Sequence, residues 1–159
     1  MTQTALHIAT MYYIQQVTTA IEPLGDIDLD AKFTPSLLNT AVFLLTLSQT
    51  VSTFSVNYIG RPWRESIPEN KWLFRGLLIA TAIAYLGVAQ LEPQLNEWLK
   101  LVPLSGQFQI QLAATMAIDL VGSYALEAFW WLFADVKPRP MIARSLAARD
   151  ARAAQRKTN

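Results

Sequence analysis

The stretch FTPSLLNTAVFLLTLSQTVSTFSVNYIG, residues 33–60, decides the fold because it is long, mostly apolar and free of charged side chains. A helix needs about 20 residues to cross the hydrocarbon core of a bilayer. Backbone N–H and C=O groups in lipid must find partners within the protein, which a helix provides. The residues that follow, RPWRESIPENK (61–71), are abruptly polar. This pattern predicts a transmembrane helix over residues 36–58.

The predicted helix carries polar side chains along one face, because helical residues three, four and seven apart share a side. The members of this face are Asn39, Thr46, Thr50, Thr53 and Asn57, and a second, narrower stripe contains Ser48, Ser52 and Ser55. Two interpretations remain open. The face lines a substrate or ion path, or it packs against neighbouring helices through hydrogen bonds, which we favour. We select Asn39, Gln49, Thr53 and Asn57 as the candidate polar contacts.

Other uncharged segments complete the predicted bundle. They give a partial first helix over residues 5–21 and two further spans over 72–91 and 108–134, while 92–107 is a short interfacial helix or turn with Trp98 at headgroup depth. Gly76, Ala80 and Ala84 repeat every four residues, a spacing that favours close helix contact. The predicted fold is an all-α integral membrane helical bundle with one partial and three full spans. The absence of cysteine excludes disulfides and thiolate metal sites.

Asp119 is predicted to lie near mid-membrane in the last span. An acid at that depth costs about 2.5–3.5 kcal/mol on insertion scales, so it should face protein or water. Two roles are open, an ion or proton relay and a hydrogen-bonded structural anchor. We favour the anchor, since the sequence shows no partner base. His7, the only histidine, is expected to pack against a neighbour or lie at the interface rather than to carry a proton.

The distribution of basic residues predicts the orientation. The 61–75 loop and the tail from residue 135 hold eleven of the thirteen lysines and arginines, and such residues accumulate on the cytosolic side. The loop and a basic tail, 139–159, are therefore expected in the cytosol. A net charge of +1 gives no electrostatic argument for binding nucleic acid.

Several separated motifs resemble the C-terminal transmembrane region of P-type ATPases, most closely the type V subgroup of the endoplasmic reticulum. They are Asn39-Thr40, Val56-Asn57-Tyr58, Gly60-Arg61-Pro62-Trp63, Glu65-Ser66, Glu69-Asn70-Lys71, Leu95-Asn96-Glu97-Trp98 and Leu132-Phe133-Ala134-Asp135. The resemblance implies that residues 1–138 are the end of the seventh core helix through the tenth. It implies a location in the endoplasmic reticulum with a cytosolic C-terminus.

The resemblance also implies an activity and partners. The family hydrolyses ATP with magnesium through an aspartyl-phosphate, and its reticulum members resemble translocases of transmembrane helices or cation transporters. The expected partners are the bilayer, the N-terminal helices and the cytosolic domains. The loop residues expected to contact those domains are Arg61, Pro62, Arg64, Glu69 and Lys71.

The chain departs from the family in lacking an Asp-Lys-Thr-Gly phosphorylation motif. Phosphoryl transfer needs a nucleophilic carboxylate, magnesium and phosphate-binding donors. We therefore expect a catalytically incomplete membrane-support fragment with no cofactor of its own. Two alternatives stay open. One is a free-standing small membrane protein acting as a subunit or assembly factor, and the other is a small transporter that uses Asp119.

Overall fold

The chain folds into a bundle of helices. A computed structural model describes residues 2–23, 34–58 and 64–133, and these ranges contain five helices and no strand. The helices are α1 (Thr2–Ile21), α2 (Leu37–Asn57), α3 (Lys71–Ala89), α4 (Pro93–Trp98) and α5 (Gly106–Phe133). Helices α2, α3 and α5 are long and apolar enough to cross a bilayer. The predicted all-α membrane bundle is confirmed.

The helix boundaries lie close to those expected from the sequence, and the largest difference is in α1. Helix α1 begins at Thr2, three residues before the predicted start. Helix α2 is capped by Ser36, whose side chain accepts a hydrogen bond from the backbone N–H of Asn39 at 3.2 Å. The span predicted from the sequence, 36–58, begins at this capping residue. A serine hydroxyl at the N-cap satisfies a backbone donor that has no partner within the helix.

Helix α2 is the centre of the bundle and packs against α1, α3 and α5. Its buried side carries Leu44 and Leu45, which are fully buried. Helix α5 supplies large apolar side chains to the same core, and α1 supplies one. These are Phe108, Leu112, Met116 and Ile14, each 0–1% exposed. Core packing at this density fixes which side of each helix faces inward.

Helices α2 and α3 are in close contact at Gly87. A Cβ added there would lie 2.7 Å from a methyl carbon of Leu44, too close for an unshifted side chain. The first residue of the Gly76-Ala80-Ala84 repeat makes no such contact. Gly76 is exposed, and a Cβ added there meets nothing within 4 Å. Ala84 of that motif is fully buried. The expected close contact through Gly76 is therefore absent among the described residues, and Gly87 makes it instead.

Hydrogen bonds fix the start of α5 against the other helices. Gln90 ends α3 in the left-handed conformation, with φ of 51°. Its side-chain amide donates to the carbonyl of Val102 at 2.9 Å and accepts from the N–H of Leu104 at 3.0 Å. The hydroxyl of Thr40 on α2 accepts from the N–H of Val102 at 3.0 Å. These bonds set the position of α5 and hence the depth at which Asp119 meets its neighbours.

Candidate functional site

Asp119 is the centre of a polar cluster where α1, α2 and α5 meet, and its side chain is fully buried. Its Oδ1 lies 2.7 Å from Nδ1 of His7, 2.9 Å from the hydroxyl of Thr10 and 3.3 Å from the side-chain nitrogen of Gln49. Its Oδ2 lies 3.3 Å from the hydroxyl of Ser52. An acid inside a membrane is costly unless other groups bond it. Here the donors come from both neighbouring helices.

His7 links this buried carboxylate to the outside of the bundle. Its Nδ1 faces Asp119, while its Nε2 lies 2.9 Å from the hydroxyl oxygen of Thr53. The His7 side chain is 17% exposed, whereas that of Asp119 is not exposed at all. Thr53 lies on the exposed side of α2. The imidazole therefore bridges an interior acid and a surface hydroxyl.

The sequence interpretation found no base near Asp119, and this was wrong, because His7 is in direct contact with it. The two residues are 112 positions apart, so no local pattern joins them. One weak signal was available. His7 and Thr10 are three residues apart and share a helix face, and both contact the carboxylate. Such a pair suggests a polar partner on another helix without saying which one.

Gln49 brings α2 into the cluster. Its side-chain nitrogen lies 3.1 Å from the carbonyl oxygen of His7 and 3.0 Å from the hydroxyl of Thr10. It also approaches Asp119. Of the candidate contacts chosen from the sequence, the structure thus brings together Gln49, Thr53 and Asp119. The other two, Asn39 and Asn57, lie outside this cluster.

The polar face of α2 is exposed, although Thr53 and Asn57 each bond a residue of α1. All five of its members, Asn39, Thr46, Thr50, Thr53 and Asn57, are exposed. The serine stripe is on the opposite side, where Ser48 and Ser52 are buried. A polar surface on a membrane helix normally faces protein or a water-filled cavity. The side of α2 with the larger polar surface is thus the side that the described residues leave exposed.

Residues on the polar face satisfy part of their bonding capacity locally. The hydroxyl of Thr50 donates to the carbonyl of Thr46 at 2.8 Å. The side-chain nitrogen of Asn57 donates to the carbonyl of Thr53 at 2.8 Å and to Oε1 of Gln3 on α1 at 2.9 Å. Bonds from a side chain to its own helix leave the oxygen lone pairs of these hydroxyls available. The face can therefore accept bonds from a neighbouring surface.

The loop between α2 and α3 is described from residue 64 onward, so Arg61 and Pro62 lie outside the described residues. Arg64, Glu69 and Lys71 are all exposed. The carboxylate of Glu69 accepts hydrogen bonds from the N–H and hydroxyl of Ser66, at 2.9 and 2.8 Å. This bonding gives the loop a defined turn immediately before α3. Its exposed charges remain accessible to another protein surface.

The described part of the chain brings few potential metal ligands together. Over residues 2–23, 34–58 and 64–133, no group of three or more His, Cys, Asp or Glu side chains could hold a metal ion. His7 and Asp119 are two such side chains, and they bond to each other.

Comparison with known proteins gives extended matches, although no protein-family model matches the chain. It is 45% identical over 144 residues to an endoplasmic reticulum transmembrane helix translocase of Aspergillus fumigatus, covering 89% of this chain and 11% of that protein. It is 44% identical over 140 residues to a protein of the same description from Saccharomyces cerevisiae, covering 87% and 12%. A probable manganese-transporting ATPase of Arabidopsis thaliana is 32% identical over 132 residues, covering 82% and 11%.

The helices and these matches define the class as a membrane helical bundle that forms part of a P-type ATPase. Within that class, the chain belongs to the type V family, in which it corresponds to a C-terminal transmembrane segment of the endoplasmic reticulum translocases. The chain spans about a tenth of the length of the curated relatives it matches.

Proposed function

We propose that this chain is the membrane-support segment of an ATP-driven type V translocase in the endoplasmic reticulum. In this role it holds the remaining transmembrane helices in place, and the chemistry of ATP hydrolysis occurs elsewhere in the protein. The supporting observation is the exposed polar face of α2. A polar face on a membrane helix needs a protein or aqueous neighbour, and the relatives contain about eight times as much further sequence to supply one.

The substrate we propose is a transmembrane helix of another protein, rather than a metal ion. The two fungal relatives described above are named as helix translocases, at 44–45% identity, against 32% for the relative named for manganese. Asn39, Thr53 and Asn57 would then contact either absent helices or the substrate along the polar face.

The membrane-support proposal can be tested by supplying this chain to a relative from which the matching segment has been removed. We would co-express the chain with the Saccharomyces cerevisiae relative lacking the matching segment, and measure copurification and ATPase activity. We expect both to be recovered. Thr50→Leu removes a hydroxyl and adds bulk on the polar face, and should weaken copurification about tenfold, equivalent to about 1.4 kcal/mol.

Thr81→Leu on α3 is the matched control. The Thr81 hydroxyl also donates to its own helix, to the carbonyl of Leu77 at 2.8 Å, but α3 is mostly unburied and apolar. We expect no loss of copurification. A stable chain that associates with no part of the relative would contradict the proposal and favour the free-standing membrane protein.

Orientation is a separate part of the proposal. We propose that the basic 61–71 loop and the C-terminus both face the cytosol, as the charge asymmetry suggests. Accessibility of a tag at each position to protease, in sealed reticulum vesicles, would measure this directly. Finding the two tags on opposite sides of the membrane would refute the arrangement of three spans after residue 35.

A further inference from the structure

The pair formed by His7 and Asp119 has a chemical asymmetry that packing alone does not require. Nδ1 of His7 is directed into the bundle at Asp119, at 2.7 Å. Nε2 is directed at Thr53, an exposed residue, at 2.9 Å. One ring nitrogen is thus held by a buried carboxylate while the other lies beside a surface hydroxyl.

The donors around Asp119 suit an ionised carboxylate. Oδ2 is approached by the hydroxyl of Ser52 and Oδ1 by His7 and the groups of Thr10 and Gln49. Hydrogen bonds to a carboxylate favour its charged form. Because Oδ1 of the carboxylate accepts the hydrogen bond, Nδ1 of the imidazole carries the proton in this contact. The hydrogen-bond partner of one ring nitrogen usually fixes the tautomer of a histidine.

His7 is the only basic side chain within bonding distance of this carboxylate in the described cluster. The ionisable and charged groups of the helices packed around it are few. Helix α2 contains none; α1 adds exposed Tyr12 and Tyr13, α5 adds exposed Tyr124 and Glu127, and α3 adds exposed Lys71 and Arg75 and half-buried Tyr85. The charge of the cluster is therefore set by whether His7 carries one proton or two.

We propose that His7 and Asp119 form a proton-binding site inside the membrane bundle, filled and emptied through Nε2 of His7 at the polar face of α2. The ligand is a single proton. In the filled state the imidazolium and the carboxylate cancel, Nδ1–H donates to Asp119, and Nε2–H donates to the hydroxyl oxygen of Thr53.

Emptying the site breaks only the Nε2–H bond. The proton passes to water or another base at the polar face, and the electron pair stays on Nε2. The hydroxyl of Thr53 then rotates to donate to the bare nitrogen. Nδ1–H keeps its bond to Asp119, whose carboxyl oxygens also lie within bonding distance of Ser52, Thr10 and Gln49.

The proposal does not depend on the proposed support function, since every group in it belongs to this chain. It adds a property to the polar face, because whatever covers that face also controls the route by which the proton leaves. A neighbour that supplies a base or water near Thr53 would favour emptying, whereas an apolar neighbour would trap the proton.

Nitrogen-15 NMR offers a direct test, because His7 is the only histidine and its two ring nitrogens give the only imidazole signals. The full chain, labelled in histidine, would be studied in lipid nanodiscs between about pH 5 and about pH 8, the range in which histidine charge changes are usual. We expect Nε2 to lose its proton as pH rises while Nδ1 keeps its proton throughout. An imidazole that does not titrate, or one in which Nδ1 loses the proton, would overturn the proposal.

Variants identify the two ends of the site. Asp119→Asn removes the charge that fixes Nδ1–H, and we expect the ratio of the two neutral tautomers to shift at least tenfold toward Nε2–H. If this variant does not fold, Thr53→Val tests the outer end while leaving the carboxylate in place. It should change the Nε2 signal and leave that of Nδ1 unaltered; an unchanged Nε2 signal would count against the route.

Thr115→Val serves as the control. Thr115 is buried on α5 one helical turn before Asp119, and its hydroxyl donates to the carbonyl of Gln111 at 2.8 Å. It has no bond to the cluster, so both nitrogen signals and their pH dependence should match the unmodified chain. A change in this control as large as that in Asp119→Asn would show a general packing effect and overturn the assignment.

Discussion

Gln49→Leu provides the sharpest test of the cluster's contribution to stability. The Gln49 side-chain nitrogen approaches three oxygens on two other helices, at 3.1 Å for the His7 carbonyl, 3.0 Å for the Thr10 hydroxyl and 3.3 Å for Asp119. An amide nitrogen carries two hydrogens, so two of these bonds form at one time. Leucine has similar bulk and removes both without adding a charge.

The magnitude follows from hydrogen bonds measured between membrane helices, which average about 0.6 kcal/mol and reach about 1.7 kcal/mol. Loss of two such bonds should reduce the free energy of unfolding by about 1 to 3 kcal/mol. The apolar leucine offsets part of the loss where its side chain meets other apolar atoms.

Unfolding of the purified chain in bicelles, followed by steric trapping, would measure the change. Thr50→Val is the control, since its hydroxyl is exposed and bonds only its own helix in the described structure; it should change stability by less than about 0.5 kcal/mol. A double-mutant cycle with Asp119→Asn isolates the Gln49–Asp119 contact, for which we expect a coupling of about 0.5 kcal/mol or more. Equal stabilities for Gln49→Leu and Thr50→Val, with no coupling, would refute the bonding scheme.

Three further substitutions, two of them paired with a control variant, test how packing, hydrogen bonding and helix capping contribute to stability. Gly87→Ala places a Cβ 2.7 Å from a leucine methyl of α2 and should lower the free energy of unfolding by about 1–3 kcal/mol through overpacking. In the control Gly76→Ala, the added Cβ meets nothing within 4 Å, so this variant should stabilise the helix by up to about 1 kcal/mol. Equal unfolding free energies for the two variants would contradict the packing. Ser52→Ala removes a hydroxyl that bonds the buried carboxylate of α5 and should lower the free energy of unfolding by about 1 kcal/mol. The control Ser123→Ala removes a buried hydroxyl without a bonding partner in the described structure, so its stability should be unchanged or higher. Thermal unfolding measures both. Ser36→Ala removes the cap of α2 and should cost about 1 kcal/mol, measured by denaturant unfolding, with no loss indicating that another group caps the helix.

The transmembrane helices were predictable because their signal is local. A long uncharged run must become a helix in lipid whatever surrounds it, and α2 and α5 begin and end within two residues of the predicted spans. Two residues near the start of α2, Thr34 and Ser36, are of the type that caps the N-terminus of a helix. Only the backbone geometry selects Ser36, whose oxygen reaches the N–H of Asn39.

The candidate site was predictable only in part. Periodicity identified polar side chains on α2, but it could not say which stripe meets another helix of this chain. The structure buries Ser48 and Ser52 and exposes Thr46 and Thr50, so the smaller stripe makes the internal contact. The pairing of His7 with Asp119 required the relative positions of α1 and α5, which no pattern within either helix contains.

The distribution of polar and apolar residues over the outer surface separates a lipid-facing side from a protein-facing side. Only 17% of the apolar stretch of α3 is buried inside the bundle. Its outward residues are nevertheless apolar, including Leu78 and Ile79, which are 52% and 60% exposed. Lipid accommodates such a surface. Helix α2 has a larger buried share, 44%, but its outward side carries five polar residues beside the exposed Phe43 and Phe54. Because two helices of one bundle share the same bilayer, this difference cannot come from their depth. The outward residues of α3 suit lipid, whereas the polar residues of α2, on the side where Thr53 reaches His7, suit a protein or aqueous environment.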